Sequence, residues 1–204
     1  MLSGTEKRNT LWNSVSFIII SFLGFVNFTL NYSSFSTKIF GLFILINSIF
    51  GIGQNVDFGF GISTIKYIAE ANKKSDSDLI NTIFITFFCV FIIFGLVLVV
   101  VFILYYHLFF SKTELFKQED HSTIFTIYFL LTSGFFFRYL SNYLSRVFEG
   151  FSEFIKLSKI NICLAFLNTL FILLIFLLKL DIVYLALFLL LKERAQESSL
   201  VIFK

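Results

Sequence analysis

Long apolar segments separated by short polar ones dominate this chain. A helix needs about 20 apolar residues to cross the hydrocarbon core of a bilayer, and five segments reach that length with few charges. Their approximate bounds are 11–31, 39–62, 79–106, 122–147 and 160–180. A sixth segment, 182–191, is followed directly by charged residues and spans only about half a bilayer as a helix. The pattern predicts an all-α, polytopic integral membrane helical bundle with five full spans and a partial sixth.

The composition agrees with a membrane protein and excludes a soluble one. Hydrophobic residues make up 57% of the chain and charged residues 14%, whereas a soluble domain has about 25% charged residues. The polar connections between the apolar segments are too short to fold on their own. We therefore predict one membrane domain over residues 1–191, followed by a polar tail over residues 192–204.

The distribution of lysine and arginine predicts which side of the membrane each connection faces. Positively charged residues favour the cytoplasmic side, and with the amino terminus in the cytoplasm most of them fall there. The predicted inner group is Lys7, Arg8, Lys66, Lys73, Lys74, Arg146, Lys156, Lys159, Lys192, Arg194 and Lys204. The predicted outer group is Lys38, Lys112, Lys117 and Lys179.

Amides, hydroxyls and glycines recur on one face of several predicted spans. Because an amide that faces lipid has no hydrogen-bond partner, these faces must meet protein or water. One alternative is contact between helices, in which small and amide residues allow close approach and hydrogen bonding. The other is a polar cavity. The candidate cavity amides are Asn13, Asn27, Asn47, Gln54 and Asn142, and the fifth span has Asn161 and Asn168 on one face.

Arg138 lies within the fourth predicted span, toward its inner half. A charged residue inside a span indicates a functional site and calls for a partner. Three interpretations are open at this point: a cation that faces a cavity, a structural ion pair, and a side chain that extends to the interface. The available carboxylates are Asp57 and Glu149, both near the inner ends of spans, and a pair with Asp57 is geometrically feasible.

The segment GIGQNVDFGFG, residues 51–61, places Asp57 among four glycines at the end of an apolar run. Each glycine inside a helix weakens it by about 1 kcal/mol relative to alanine. A charge at the bilayer centre costs about 2.5–3.5 kcal/mol on insertion scales. We interpret the segment as the point where the second span reaches the inner leaflet. Its glycines would let neighbouring helices approach or let the helix bend, and Asp57 would lie at the mouth of a polar cleft.

Motifs of integral membrane enzymes are missing from the sequence. It has no H-E-x-x-H, no G-x-S-x-G, no phosphate-binding loop with lysine and no paired carboxylates in an apolar segment. Cys89 and Cys163 fall inside predicted spans, and we interpret them as packing residues. We therefore expect no enzyme, no metal site and no cofactor, and the net charge of +3 indicates no nucleic-acid partner. The amides, hydroxyls and arginines suit the binding of a polar, anionic headgroup.

Several short motifs occur in order along the chain. They are Lys7-Arg8-Asn9 before the first span, Phe40-Gly41 as the second begins, VDFGFGISTIKYIA over residues 56–69, and RVFEGFSEFIKLSKINI over residues 146–162. In their order and spacing the chain resembles the polysaccharide biosynthesis proteins, or O-antigen flippases, of the multidrug/oligosaccharidyl-lipid/polysaccharide (MOP) exporter superfamily. The resemblance covers residues 7–190. In that family the second span typically ends in an aspartate, a glycine and a basic residue, which correspond here to Asp57, Gly59 and Lys66.

The resemblance implies a multi-pass transporter of the bacterial cytoplasmic (inner) membrane. Such flippases move undecaprenyl-diphosphate-linked oligosaccharides through the lipid bilayer for polysaccharide, O-antigen or lipopolysaccharide synthesis. Cationic cavity residues are thought to hold the diphosphate, and the candidates by position are Arg138 and Arg8. The resemblance implies a gating or coupling role for Asp57, and Glu149 is a second candidate. Coupling to a proton or a sodium gradient stays open.

Family members have about a dozen helices in two bundles that rock against one another. This chain ends in its sixth predicted span, so the resemblance predicts the amino-terminal half of such a transporter. A homodimer or a separate carboxy-terminal half would complete it. Two alternatives stay open: a membrane-bound glycan polymerase or acyltransferase, and an inactive truncated fragment. An exporter of organic cations would need acidic cavity residues, and Arg138 argues against it.

Overall fold

The computed structural model describes residues 4–54, 56–108 and 121–202. Within these ranges the protein folds into helices and no strand, and the helices are α1 (Gly4–Ser34), α2 (Thr37–Gln54), α3 (Phe60–Lys73), α4 (Ser77–Leu108), α5 (His121–Gly150), α6 (Phe154–Leu178) and α7 (Ile182–Ile202). Helices α1, α2, α4, α5 and α6 each contain a segment long and apolar enough to cross a bilayer. The predicted polytopic all-α membrane class is confirmed. The sides of the membrane predicted for Lys112, Lys117 and Lys204 are not addressed by the structure, because these three lysines lie outside the described residues.

Helix α5 lies at the centre of the bundle. In its apolar stretch 50% of the residues are buried, against 11–28% in the other four spanning helices. It contacts α2, α3 and α4, and it packs along α7 more extensively than any other pair of described helices. Its 30 residues extend over about 45 Å, which is more than the thickness of the hydrocarbon core. Helices α2, α3, α4 and α7 are therefore positioned largely through α5.

The single second span that the pattern predicts is divided in two in the structure. Helix α2 ends at Gln54 and a separate helix, α3, begins at Phe60. Phe58 and Gly59 both adopt left-handed backbone conformations, with φ of 49° and 82°. The Asp57 carboxylate accepts a hydrogen bond from the Gly59 N–H at 3.0 Å, and the Asp57 carbonyl accepts one from the Phe60 N–H at 2.9 Å. Asp57 therefore shapes the turn between the two helices.

Glycines of the 51–61 segment allow close packing at two positions. A Cβ atom on Gly53 would lie 2.7 Å from the ring of Phe102 in α4, and one on Gly61 would lie 3.3 Å from Nε of Arg146 in α5. Gly51 differs, because no described neighbour beyond its own helix backbone lies within 4 Å of its Cβ position. The expectation that glycines here let helices approach therefore holds for Gly53 and Gly61.

Helix α1 packs along α6 and makes few contacts with the other described helices. Near the start of both helices, the hydroxyl group of Ser158 donates a hydrogen bond to Oδ1 of Asn13 at 2.8 Å. The Nζ atom of Lys159 lies 5.6 Å from the centre of the Trp12 ring. At Asn13, the polar face of the first span therefore serves contact between helices.

Helix α7 continues through the segment predicted as a polar tail. It extends without a break from Ile182 to Ile202, and this stretch contains neither glycine nor proline, which most readily interrupt a helix. A Cβ atom on Gly134 of α5 would lie 3.5 Å from the Cα atom of Leu190 in α7. Close approach of the two backbones at this point brings the first charged residues of the predicted tail against α5.

Candidate functional site

Two cavities follow each other along the groove between α2 and α5. The first, of about 200 Å³, lies between the initial turns of the two helices, and its lining is mostly apolar: Ile39, Leu42, Phe43, Ile46, Ile124 and Ile127, with Thr123 and Asp181 as its two polar residues. The second, of about 170 Å³, lies between their later turns and is completed by α6 and α7. Its polar lining residues are Asn47, Gln54, Arg138, Asn168, Lys192 and Glu193. We call them the apolar cavity and the polar cavity.

An ion network of three side chains dominates the polar cavity. The Nε atom of Arg138 lies 3.3 Å from Oε1 of Glu193, and Nζ of Lys192 lies 3.7 Å from the same oxygen. The Glu193 side chain is 5% exposed, whereas that of Arg138 is 41% exposed. Because a buried carboxylate is costly without partners, the two cations stabilise Glu193 in this position. The network has one net positive charge, and its guanidinium group is accessible from the groove.

The partner of Arg138 in the structure is Glu193, and not Asp57, for which the sequence left a pair with Arg138 geometrically feasible. Glu149 instead pairs with Arg146, whose Nη1 atom lies 3.1 Å from the Glu149 carboxylate. Asp57 lies in the turn before α3. Neither carboxylate is among the described residues that line the polar cavity. The distance along the chain explains why the sequence did not indicate this pair, because Glu193 reaches Arg138 only if α7 continues as a helix and packs on α5.

Three buried polar atoms, each on a residue that lines the polar cavity, have no hydrogen-bond partner among the described residues. They are Nε2 of Gln54 in α2, Oδ1 of Asn168 in α6 and Oε2 of Glu193 in α7. Folded proteins contain few such atoms, because each unsatisfied group costs about 1–3 kcal/mol. One of the three is a donor and two are acceptors. A ligand with both anionic oxygens and hydroxyl groups has the chemistry to satisfy them.

Three of the predicted cavity residues come together in the polar cavity: Asn47, Gln54 and Arg138. Asn47 also donates a hydrogen bond from Nδ2 to the carbonyl of Phe43, at 2.9 Å within α2. Asn142, one turn after Arg138 in α5, is not among the described residues that line this cavity.

The other predicted cavity residues belong to α1 and lie elsewhere. Arg8 is exposed near the start of α1, and Asn13 bonds to Ser158 of α6. Asn27 is partly buried, and its Oδ1 atom has no partner among the described residues. None of these three lines the polar cavity.

Sequence reasoning missed Lys192 and Glu193 as site residues and left Asn168 without a role. The charges of the 192–199 segment indicated a tail, but the segment contains no residue that would end a helix. If the sixth predicted segment is extended as a helix parallel to the fourth span, Glu193 comes to a depth in the membrane close to that of Arg138. For Asn168 the available signal was its position on a polar face of the fifth span, which does not reveal the helix it meets.

The apolar cavity occupies the turns of α2 and α5 that directly precede the polar cavity. On α2, Phe43 and Ile46 are followed by Asn47, and on α5, Ile127 is followed one turn later by Leu131. The groove is therefore amphipathic along its length, with mostly hydrocarbon side chains at one end and the ion network at the other. Such an arrangement can bind a molecule that has a charged head and an apolar tail.

Residues 7–200 match the model of a protein family described as polysaccharide biosynthesis protein. The chain belongs to this family. The match confirms the resemblance seen in the motifs, and it includes every residue that lines the polar cavity. Among curated proteins and among solved structures, no match was found. Together, the family and the spanning helices establish a multi-pass membrane protein of polysaccharide biosynthesis, in a family whose members are typically transporters rather than enzymes.

Proposed function

We propose that this protein translocates an undecaprenyl-diphosphate-linked oligosaccharide across the bacterial cytoplasmic membrane. The observation that supports this proposal is the amphipathic groove between α2 and α5, in which a cationic polar cavity adjoins an apolar one. A substrate with an anionic headgroup and a hydrocarbon tail complements both parts. Membership of the polysaccharide biosynthesis family makes a lipid-linked saccharide the natural substrate class, and O-antigen or a related glycan its product.

The polar cavity would hold the diphosphate and the first sugar. Arg138 is accessible from the groove, and an arginine can bind phosphate oxygens through two N–H groups at once. Lys192 adds a second positive charge beside it. The unpartnered Nε2 atom of Gln54 would donate to a phosphate or sugar oxygen, and Oδ1 of Asn168 would accept from a sugar hydroxyl.

The apolar cavity would hold the part of the prenyl chain next to the diphosphate. Its volume of about 200 Å³ accommodates only a short part of a long prenyl chain, so the remainder would stay in the bilayer. This placement requires no covalent step, which agrees with a transporter. Glu193 already pairs with the cation inside the spanning helix, and an anionic substrate would balance the remaining positive charge of the network.

Gating forms part of the same proposal. Asp57 and Glu149 both lie near Arg146, at the end of the bundle predicted to face the cytoplasm. Charged contacts there would change as the mouth of the groove opens and closes. A second bundle, from a homodimer or a separate carboxy-terminal half, would face the groove from the other side.

Translocation in proteoliposomes tests the proposal. The full chain is reconstituted with a fluorescent prenyl-diphosphate disaccharide, and an impermeant quencher reports the fraction exposed in the outer leaflet over time. We expect the wild type to accelerate exchange and Arg138→Gln to lower the rate about tenfold or more, which is the effect of losing one charged hydrogen bond. Arg194→Gln is the matched control, because Arg194 is an exposed residue of α7 outside the polar cavity. Equal rates for Arg138→Gln and the wild type, at equal membrane insertion, would contradict the proposal.

A further inference from the structure

The polar cavity contains an anion of its own. Oε1 of Glu193 lies 3.3 Å from Nε of Arg138 and 3.7 Å from Nζ of Lys192, the two cations assigned above to the headgroup. Among the described residues that line the cavity, these three are the only charged ones, and the polar residues of α2 and α6 are neutral amides. The charge that a ligand meets in this cavity is therefore set by the presence of Glu193.

The burial of Glu193 makes its charge effective. Its side chain is 5% exposed, and its Oε2 atom is buried without a partner. Charges in such surroundings interact several times more strongly than in water, because the effective dielectric constant is about 20 rather than 80. With Glu193 present the network has one net positive charge, and without it the network would have two. A ligand with two negative charges would respond to that difference more strongly than a ligand with one.

We propose that Glu193 is an internal counter-ion that holds the affinity of the polar cavity for anionic headgroups low enough for release. This inference rests on the proposed function. A translocation site must bind strongly enough to load and weakly enough to unload. Two buried cations without a counter-charge would retain a diphosphate. Glu193 lies behind the more exposed Arg138, so it moderates the cations without blocking the groove.

Equilibrium binding of three probes tests this proposal. The probes are farnesyl diphosphate, farnesyl monophosphate and farnesol, which share a tail and differ in charge. Binding is measured on the purified full chain in lipid nanodiscs. In Glu193→Gln we expect the affinity for the diphosphate to rise about tenfold or more, the affinity for the monophosphate to rise less, and the affinity for farnesol to stay unchanged. Glu193→Ala should likewise raise the affinities for the diphosphate and the monophosphate and leave the affinity for farnesol unchanged.

Matched variants separate this effect from a change in folding. Glu197→Gln removes a carboxylate one turn later in α7, outside the cavity, and should leave all three affinities unchanged. The double variant with both Arg138→Gln and Glu193→Gln should lose most of the gain in diphosphate affinity that Glu193→Gln shows alone. A fall or no change in diphosphate affinity in Glu193→Gln would overturn the proposal. An equal gain for farnesol would overturn it too, since that result would indicate a change in the shape of the groove.

The rate of translocation gives the second readout. In the proteoliposome assay, Glu193→Gln should bind the fluorescent substrate more tightly and yet translocate it more slowly. A variant that binds more tightly and translocates at the wild-type rate would overturn the role in release. If Glu193→Gln showed no preference for the diphosphate over farnesol, both this inference and the anion site of the proposed function would fail. If the wild type and Glu193→Gln preferred the diphosphate over farnesol to the same extent, this inference alone would fail.

Discussion

The hydroxyl group of Tyr139 donates a hydrogen bond to the carbonyl of Val56 at a distance of 3.0 Å. Val56 lies in the break between α2 and α3, and Tyr139 directly follows Arg138 in α5. An interrupted helix leaves carbonyl groups without their usual partners, and inside a membrane such groups must be satisfied by other parts of the protein. This bond therefore links the break in the second span to the helix that contains the arginine of the site.

Replacing Tyr139 with phenylalanine should destabilise the protein while preserving its packing. The variant loses one buried hydrogen bond, and we expect the free energy of unfolding to fall by about 0.5–1.5 kcal/mol. Thermal unfolding in detergent measures the effect. Tyr184→Phe is the control, because Tyr184 is exposed on α7. If Tyr139→Phe and Tyr184→Phe unfolded at the same temperature, the bond to Val56 would have no role in stability.

Two glycines of α2 should respond in opposite ways to alanine. A Cβ atom on Gly53 would lie 2.7 Å from the ring of Phe102, which is buried against Phe50 and Phe135 and cannot easily move. We expect Gly53→Ala to cost about 1–3 kcal/mol through overpacking. Gly51→Ala meets no described neighbour beyond its own helix backbone, and should stabilise the helix by up to about 1 kcal/mol. Thermal unfolding of both variants under the same conditions tests this prediction. Equal stabilities of the two variants would contradict the packing of α2 on α4.

The two proposed properties of Asp57 can be separated by substitution. Asp57→Asn keeps an oxygen that can accept the hydrogen bond of the Gly59 N–H, whereas Asp57→Ala removes it. We expect Asp57→Asn to unfold like the wild type and Asp57→Ala to lose about 1 kcal/mol. If the negative charge serves gating or coupling, Asp57→Asn should translocate more slowly despite its normal stability. If Asp57→Asn translocated the substrate at the wild-type rate, the role of Asp57 would be limited to shaping the turn between α2 and α3.

Labelling of single cysteines tests the predicted orientation. Ser75 lies in the connection between α3 and α4, and Lys179 lies between α6 and α7, at the opposite end of the bundle. In a background with Cys89 and Cys163 replaced by alanine, an impermeant thiol reagent should label Lys179→Cys in intact cells. Ser75→Cys should be labelled only after the membrane is opened. The reverse labelling pattern would show that the protein has the opposite orientation in the membrane.

Half of the polar lining of the cavity, Arg138, Asn47 and Gln54, was predictable from local pattern, and the limits of that prediction have a physical origin. Arg138, Asn47 and Gln54 are conspicuous because polar groups are costly in apolar spans, and the structure brings them to one cavity. The break at residues 56–59 was less evident, because apolar residues resume directly after Asp57. It depends on the left-handed conformations of Phe58 and Gly59 and on hydrogen bonds accepted by Asp57.

The lengths of the apolar runs were enough to establish a helical membrane protein, and the order of the short motifs indicated its family. Apolar runs of sufficient length must form helices in a bilayer, because every backbone group has to be satisfied within its own segment. Which carboxylate pairs with Arg138 became clear from the packing of the helices alone. Glu193 is distant along the chain, and the pair exists because α7 continues as a helix and approaches α5 closely at Gly134. Ion pairing depends on distance in space, which a local pattern of polar and apolar residues does not encode.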